Sequence, residues 1–188
     1  MVLLKNRIYA DCIIAGDLVK VDMFLNHQLD IPLIKSVGEE MALRFRDEAV
    51  TKVLTAEASG IAIACFTAQA LGVNAVYAKK FPVFSDDASV YQAEVYSFTK
   101  RHSVFLGVKK EYIKPYDRLL IVDDFLANGQ ALEALNSIAA QAKCGVAGMC
   151  VAVEKGFQPG GARIRERGIR LESLVIIDGV NNGKPVFR

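Results

Sequence analysis

The stretch RLLIVDDFLANGQALEALNSIAAQAKCG, residues 118 to 145, constrains the fold of this chain more than any other. RLLIVDD runs on apolar residues without polar alternation, the pattern of a strand buried on both faces, and GQALEALNSIAAQAKCG reads as the helix after it. A strand of that kind needs a sheet covered by helices on both sides. The pairing recurs along the chain. TKVLTA (51–56) reads as a buried strand, and after Ser59 and Gly60 the run IAIACFTAQALG continues as a helix stopped by Gly72. NAVYAKK (74–80), GMCVAVEK (148–155) and SLVII (173–177) read as further strands, with a short charged helix between the last two. SVGEEMALRF (36–45) suits an amphipathic helix, since Val37, Met41 and Phe45 recur at helical spacing. Regular alternation of this sort predicts an α/β chain with a mostly parallel central sheet. Phe81 to Lys110 interrupts it and reads as a long excursion with some strand.

In open parallel sheets, ligands collect at the carboxyl ends of the strands. That rule selects Glu57 to Gly60, Lys79 and Lys80, Asp123 to Ala131, and Glu154 to Phe157, each a polar or flexible stretch directly after an apolar run.

Bulk properties exclude several alternatives. A chain of 188 residues with 52% hydrophobic and 23% charged residues suits one globular domain with a sizeable core. A net charge of +2 gives no reason to expect nucleic acid or an acidic membrane surface as partner. The basic concentration at Arg163, Arg165, Arg167 and Arg170 is broken by Glu166 and Glu172 and reads as a solvated helix face. Cys12, Cys65, Cys144 and Cys150 have no zinc-site spacing, and His27 and His102 lie far apart. Cys65 and Cys150, set in apolar runs, read as buried free thiols, which suits a reducing cytoplasm. No stretch has the length of a membrane span or the pattern of a signal peptide.

Asp123 and Asp124 at a strand end suit several chemistries. A phosphate-binding G-x-x-x-x-G-K-[ST] loop is missing, GVNNGK at 179 to 184 being one residue short. G-x-G-x-x-G and G-x-S-x-G are missing too. Recognition of a phosphorylated sugar remains: paired carboxylates accept from vicinal ribose hydroxyls and favour a nearby Mg²⁺. The loop Ala127–Asn128–Gly129–Gln130–Ala131 opens a helix, whose first N–H groups favour a phosphate without a lysine. Taken alone, the acidic pair reads equally well as a plain strand end before an ordinary Asn-Gly turn.

IVDDFLANGQA (121–131) resembles the phosphoribosyl-pyrophosphate (PRPP) motif of type I phosphoribosyltransferases, in the variant of the bacterial xanthine phosphoribosyltransferases. KVDMFLNHQLD (20–30), TAEASGIA (55–62), VYSFTK (95–100) and VAVEKGFQPG (151–160) are similar to that family in the same order. The resemblance runs from about Lys20 to the last strand. ANGQA lacks the Thr or Ser hydroxyls usual in that loop, which separates this branch from the orotate and hypoxanthine–guanine enzymes.

What the resemblance implies is a type I phosphoribosyltransferase fold in one domain, with residues 1–35 mainly an N-terminal hood and 36–188 the PRPP-binding core. The implied reaction transfers the phosphoribosyl group from PRPP to N9 of xanthine, with Mg²⁺, giving xanthosine 5′-monophosphate and pyrophosphate in purine salvage. Asp123 and Asp124 would meet the ribose hydroxyls, directly or through Mg²⁺. Ala127 to Ala131 would cradle the 5′-phosphate, and Glu57, Ala58, Ser59 and Gly60 the pyrophosphate. Ala58 stands where the family often has Ser, which weakens a hydroxyl role there; apart from the resemblance, Ser59 also reads as a plain helix cap. Lys79 and Lys80 would meet pyrophosphate, and Tyr96, Ser97 and Lys100 would belong to a mobile loop over the site. Lys155 would face the oxopurine carbonyls, Phe157 would stack on the base, Phe125 would wall the pocket, and Asn26 with the backbone near Val19 would cover it. Apart from the resemblance, Asn26 and His27 read better as plain cap and core residues. A homodimer follows from the resemblance, with the helix from Ser36 as candidate contact. A guanine or hypoxanthine transferase is the alternative, and a PRPP-responsive regulator a more distant one.

Overall fold

The computed structural model describes residues 1–15, 18–97 and 102–188. In chain order it holds α1 (Val2–Asp11), β1 (Ile13–Ala15), β2 (Leu18–Lys20), one π-helical turn (Asp22–Asn26), α2 (Ile31–Phe45), β3 (Lys52–Ala56), α3 (Ser59–Leu71), β4 (Asn74–Phe81), β5 (Val90–Ser97), β6 (His102–Lys109), β7 (Arg118–Leu126), α4 (Gln130–Gln141), β8 (Gly145–Lys155), α5 (Gly160–Glu166), β9 (Leu171–Asn181) and β10 (Lys184–Phe187). Eight strands form one sheet in the order β10-β9-β8-β7-β3-β4-β6-β5. The central five, β9-β8-β7-β3-β4, are parallel. β6 and β5 add an antiparallel pair beside β4, and β10 turns back along β9. The long excursion from Phe81 is therefore largely strand.

The chain winds outward from β3 in one direction and from β7 in the other, so the switch point of the sheet lies between these two strands. The crevice beyond their carboxyl ends is where such a sheet leaves room for a ligand. Two cores hold the layers. Leu120, Val122 and Val53 pack with α1, α2, α3 and with Val19, Val21, Phe24 and Leu25 of the N-terminal segment expected as a hood, on one face. Leu119, Ile121 and Leu54 pack with Leu132, Leu135 and Ile138 of α4 on the other. This alternation along β7 is the period of two expected of a strand.

Several sequence expectations need correction. The amphipathic helix begins at Ile31 rather than Ser36, because Asp30 caps it: its Oδ1 accepts from Leu33 N at 3.1 Å, and Pro32 sits in the first turn. The apolar residues of that helix divide between two faces, with Ile31 and Leu43 left exposed. Leu33, Ile34, Val37, Met41 and Phe45 are spent on the core, and Gly38 lets it approach α3 at Phe66 and Thr67. Cys65 is exposed while Cys150 is buried. Ile63, Ala64, Thr67 and Ala68 form the inward face of α3, and Cys65 falls on the other side. The arginines near α5 are engaged rather than merely solvated. Arg170 stacks 4.4 Å from the Phe45 ring centroid and meets Glu48 at 2.7 Å.

Candidate active site

β7 carries Asp123 and Asp124 into the switch-point crevice, only 7% and 4% exposed. Asp124 is held from two sides: Oδ1 accepts from Ser59 Oγ at 2.8 Å and Oδ2 from Asn26 Nδ2 at 3.0 Å. The hood, the loop after β3 and the acidic strand end thus meet on one carboxylate. Ser59 does not cap its own helix. Ala58 is at the N-cap, without a side-chain cap, and the Ser59 hydroxyl goes to Asp124. Burial pushes the Asp123 carboxyl well above the usual range, the adjacent Asp124 adds to the rise, and Lys80 opposes it.

The loop after β3 is tied to the neighbouring strand, since Glu57 Oε1 accepts from Lys80 N at 2.6 Å. Its Glu57–Ala58 peptide is cis. Gly60 is required by close approach: a Cβ there would overlap the Thr55 hydroxyl and stand 3.0 Å from Asp123 Oδ1. Thr55 is 1% exposed and its Oγ1 has no hydrogen-bond partner. Pyrophosphate-sized anions would meet the first N–H groups of α3 here, with no competing side-chain cap.

After β7, Ala127 to Ala131 curl around a cavity of about 250 Å³ that Asp123, Phe125 and Tyr96 also line. Gly129 takes φ 79° as the N-cap of α4, a conformation that suits glycine, and offers no side-chain cap to the helix. The cavity is at the small end of ligand sites, roughly 300–1,000 Å³, and suits a phosphate and part of its sugar. At the end of β8, Lys155 is 8% exposed, with Nζ 5.4 Å from the Phe125 ring centroid. Phe125 thus walls the space around a buried ammonium.

Among the described residues, Val19 and Phe157 take no part in these hydrogen bonds. Val19 is buried in the hood core, and Phe157 stands 38% exposed at the rim. His27 is exposed. Lys100 and the side chain of Ser97 lie outside the described residues.

Curated relatives decide the family. A xanthine phosphoribosyltransferase of Alkaliphilus metalliredigens is 49% identical over 92% of this chain and 86% of its own length. Those of Clostridium novyi and Lachnoclostridium phytofermentans are 46% and 48% identical over 100% of this chain and 100% and 98% of theirs. The chain belongs to the xanthine phosphoribosyltransferase family. No protein-family model matches. Solved adenine phosphoribosyltransferases share the fold: that of Rhodothermus marinus aligns with TM-score 0.73 at 18% identity, over 94% of this chain and 100% of its own. The Thermoanaerobacter pseudethanolicus enzyme gives 0.67 at 23% identity, over 78% of this chain and 82% of its own. The end of β7 and the start of α3 are joined through Asp124, which accepts from Ser59.

Sequence reasoning missed the support behind this phosphoribosyltransferase crevice. Glu154, 3% exposed, receives a bidentate Arg165 at 2.8 and 2.7 Å and a hydrogen bond from the Ser173 hydroxyl. Burial opposes ionisation of Glu154, yet these donors hold its carboxyl below the usual range. Gly161 has no room for a side chain beside this pair, since a Cβ would lie 2.7 Å from Arg165 Nη1. The only signal in the sequence is Glu154 directly before Lys155 at a strand end.

Proposed function

We propose that this chain transfers the 5-phosphoribosyl group from PRPP to N9 of xanthine, giving xanthosine 5′-monophosphate and pyrophosphate in purine salvage. The observation that carries this is the meeting of Asn26, Ser59 and Asp124 on one carboxylate, in a chain 46–49% identical to relatives named xanthine phosphoribosyltransferase. As the bond from C1′ to pyrophosphate breaks, its electron pair leaves with pyrophosphate and the purine nitrogen supplies the new pair. The ribose gains cationic character, which the charges of Asp123 and Asp124 favour. The N–H groups of Gly129 to Ala131 would hold the 5′-phosphate, and Glu57 to Gly60 with Lys80 would hold pyrophosphate.

Base selection rests on Lys155. Its buried ammonium suits the carbonyl acceptors of an oxopurine and opposes the 6-amino donor of adenine. Asn26 and the hood backbone near Val19 cover that side, with Phe157 available to stack. Mg²⁺ fits as an ion shared with the substrate. Among the described residues, no group of three or more His, Cys, Asp or Glu could hold a metal, and Asp123 and Asp124 supply the one or two carboxylates that Mg²⁺ uses beside phosphates. When bound, it would neutralise the leaving pyrophosphate. Among the described residues, no helix is long and apolar enough to cross a membrane. Four free thiols suit a reducing cytoplasm, and the family resemblance supports a homodimer.

The test follows both products. Xanthine, PRPP and Mg²⁺ should yield xanthosine 5′-monophosphate and pyrophosphate in equal amounts, and Asp124→Asn should slow this by on the order of 10²–10³ without unfolding the chain. Wild-type turnover in that variant would remove the charge role, and no nucleotide from xanthine would remove the function.

A further inference from the structure

The loop from Ala127 to Ala131 carries no cation, yet one stands directly behind it. Arg163 of α5 donates from Nη2 to the Asn128 carbonyl. One residue earlier, the Ala127 carbonyl accepts from Gly160 N at 3.2 Å. Gly160 permits this contact through its lack of a side chain, since a Cβ would lie 2.6 Å from Gly129 N and 2.7 Å from the Asn128 carbonyl carbon. Two successive carbonyls of the loop are therefore drawn toward α5. A peptide carbonyl pointing at a phosphate would repel it, and neither Gly160 nor Arg163 lines the cavity, so both carbonyls are engaged by groups outside it.

α5 is itself held in place. Arg165 is locked onto buried Glu154 at 2.8 and 2.7 Å, next to Lys155. Arg163 has Glu133 of α4 at 3.8 Å from its Nε, so its guanidinium bridges the helix that starts at the loop and the loop itself.

We propose that Arg163 is a positioning residue for the 5′-phosphate loop, orienting the Asn128 peptide and lending positive charge through it to a phosphate it does not touch. This rests on reading residues 127 to 131 as the phosphate site. A charge-assisted hydrogen bond to a carbonyl polarises the peptide and strengthens the N–H groups that follow it. The effect should fall on the phosphate end of PRPP and spare the pyrophosphate end, which meets a different loop.

The experiment compares wild type, Arg163→Ala, Arg163→Gln and Arg163→Lys, all checked by thermal melting. Ribose 5-phosphate and inorganic pyrophosphate are titrated as inhibitors against PRPP, and KM is measured for both substrates. Arg163 is 45% exposed along its side chain, so each variant should fold. Arg163→Ala should raise the PRPP KM and the ribose 5-phosphate inhibition constant about tenfold each, leaving the pyrophosphate constant and xanthine KM within about twofold. Arg163→Lys should recover most of the loss, and Arg163→Gln less. Equal weakening of pyrophosphate, or no change for ribose 5-phosphate, would overturn the positioning role while leaving the enzyme reading intact. A wild-type protein that ignores ribose 5-phosphate altogether would overturn the phosphate loop and the role of Arg163 together.

Discussion

Asn26 Nδ2 donates to Asp124 Oδ2 at 3.0 Å across 98 positions of sequence, tying the hood directly to the acidic strand end. Its second N–H and its carbonyl oxygen remain for a purine, so one side chain could hold the base while it stays on Asp124. Asn26→Ala is expected to raise the xanthine KM about tenfold while lowering kcat less. Asn26→Asp would set a like charge at hydrogen-bond distance from Asp124 and should cost at least about 100-fold in kcat/KM. Steady-state kinetics on both variants check this, and equal kcat/KM for the two would show that charge at this position is immaterial.

Asp123 makes stability depend on pH in a definite direction. Its folded carboxyl is raised, by burial first and by Asp124 next. The folded chain therefore holds this proton better than the unfolded chain. Stability from this group is present at acid pH and lost as pH rises through the raised value. Asp123→Asn keeps an acceptor for Asp124 N but removes the buried charge. It should melt on the order of 2–4 °C above wild type at pH 8, with the gap closing toward pH 4. Thermal melts across that range decide it, and a gap that widens in acid would contradict the assignment.

Gly60 and Thr55 should behave as a coupled pair. A Cβ at Gly60 would overlap the Thr55 hydroxyl, so Gly60→Ala should destabilise by about 1–3 kcal/mol. Thr55→Ala removes that oxygen, which has no hydrogen-bond partner, and should cost little by itself. Combining the two should recover part of the Gly60→Ala loss. Denaturant titrations of the four proteins measure the coupling, and strict additivity would mean that the obstruction lies elsewhere.

The central strands were legible because β3, β7 and β8 each hold an apolar run, and the polar residues that close or follow it mark the crevice. The hood was not. Its two strands are three residues each, too short to show alternation, and a single π turn carries Asn26. Asp30 and Pro32 did hold a readable start signal for α2, outweighed by the stronger apolar spacing from Val37. At the site, Gly60 and Gly160 could be seen as glycines, but the neighbours that forbid a side chain come from other elements. Arg163 could not be assigned at all, since its acceptor is a backbone carbonyl 35 residues away. Arg165 likewise finds Glu154 only once α5 folds back along β8.

Selection among purines tests the central claim most directly. kcat/KM should be measured for xanthine, guanine, hypoxanthine and adenine at saturating PRPP and Mg²⁺, with Lys155→Ala alongside. The buried ammonium at Lys155 meets a 6-carbonyl in all three oxopurines, but only xanthine is partly anionic near neutral pH. Xanthine should therefore be the best substrate by at least about tenfold over guanine and hypoxanthine, with adenine poorest. Lys155→Ala should erase most of that preference. Guanine or hypoxanthine turned over as well as xanthine by the wild-type protein would contradict it.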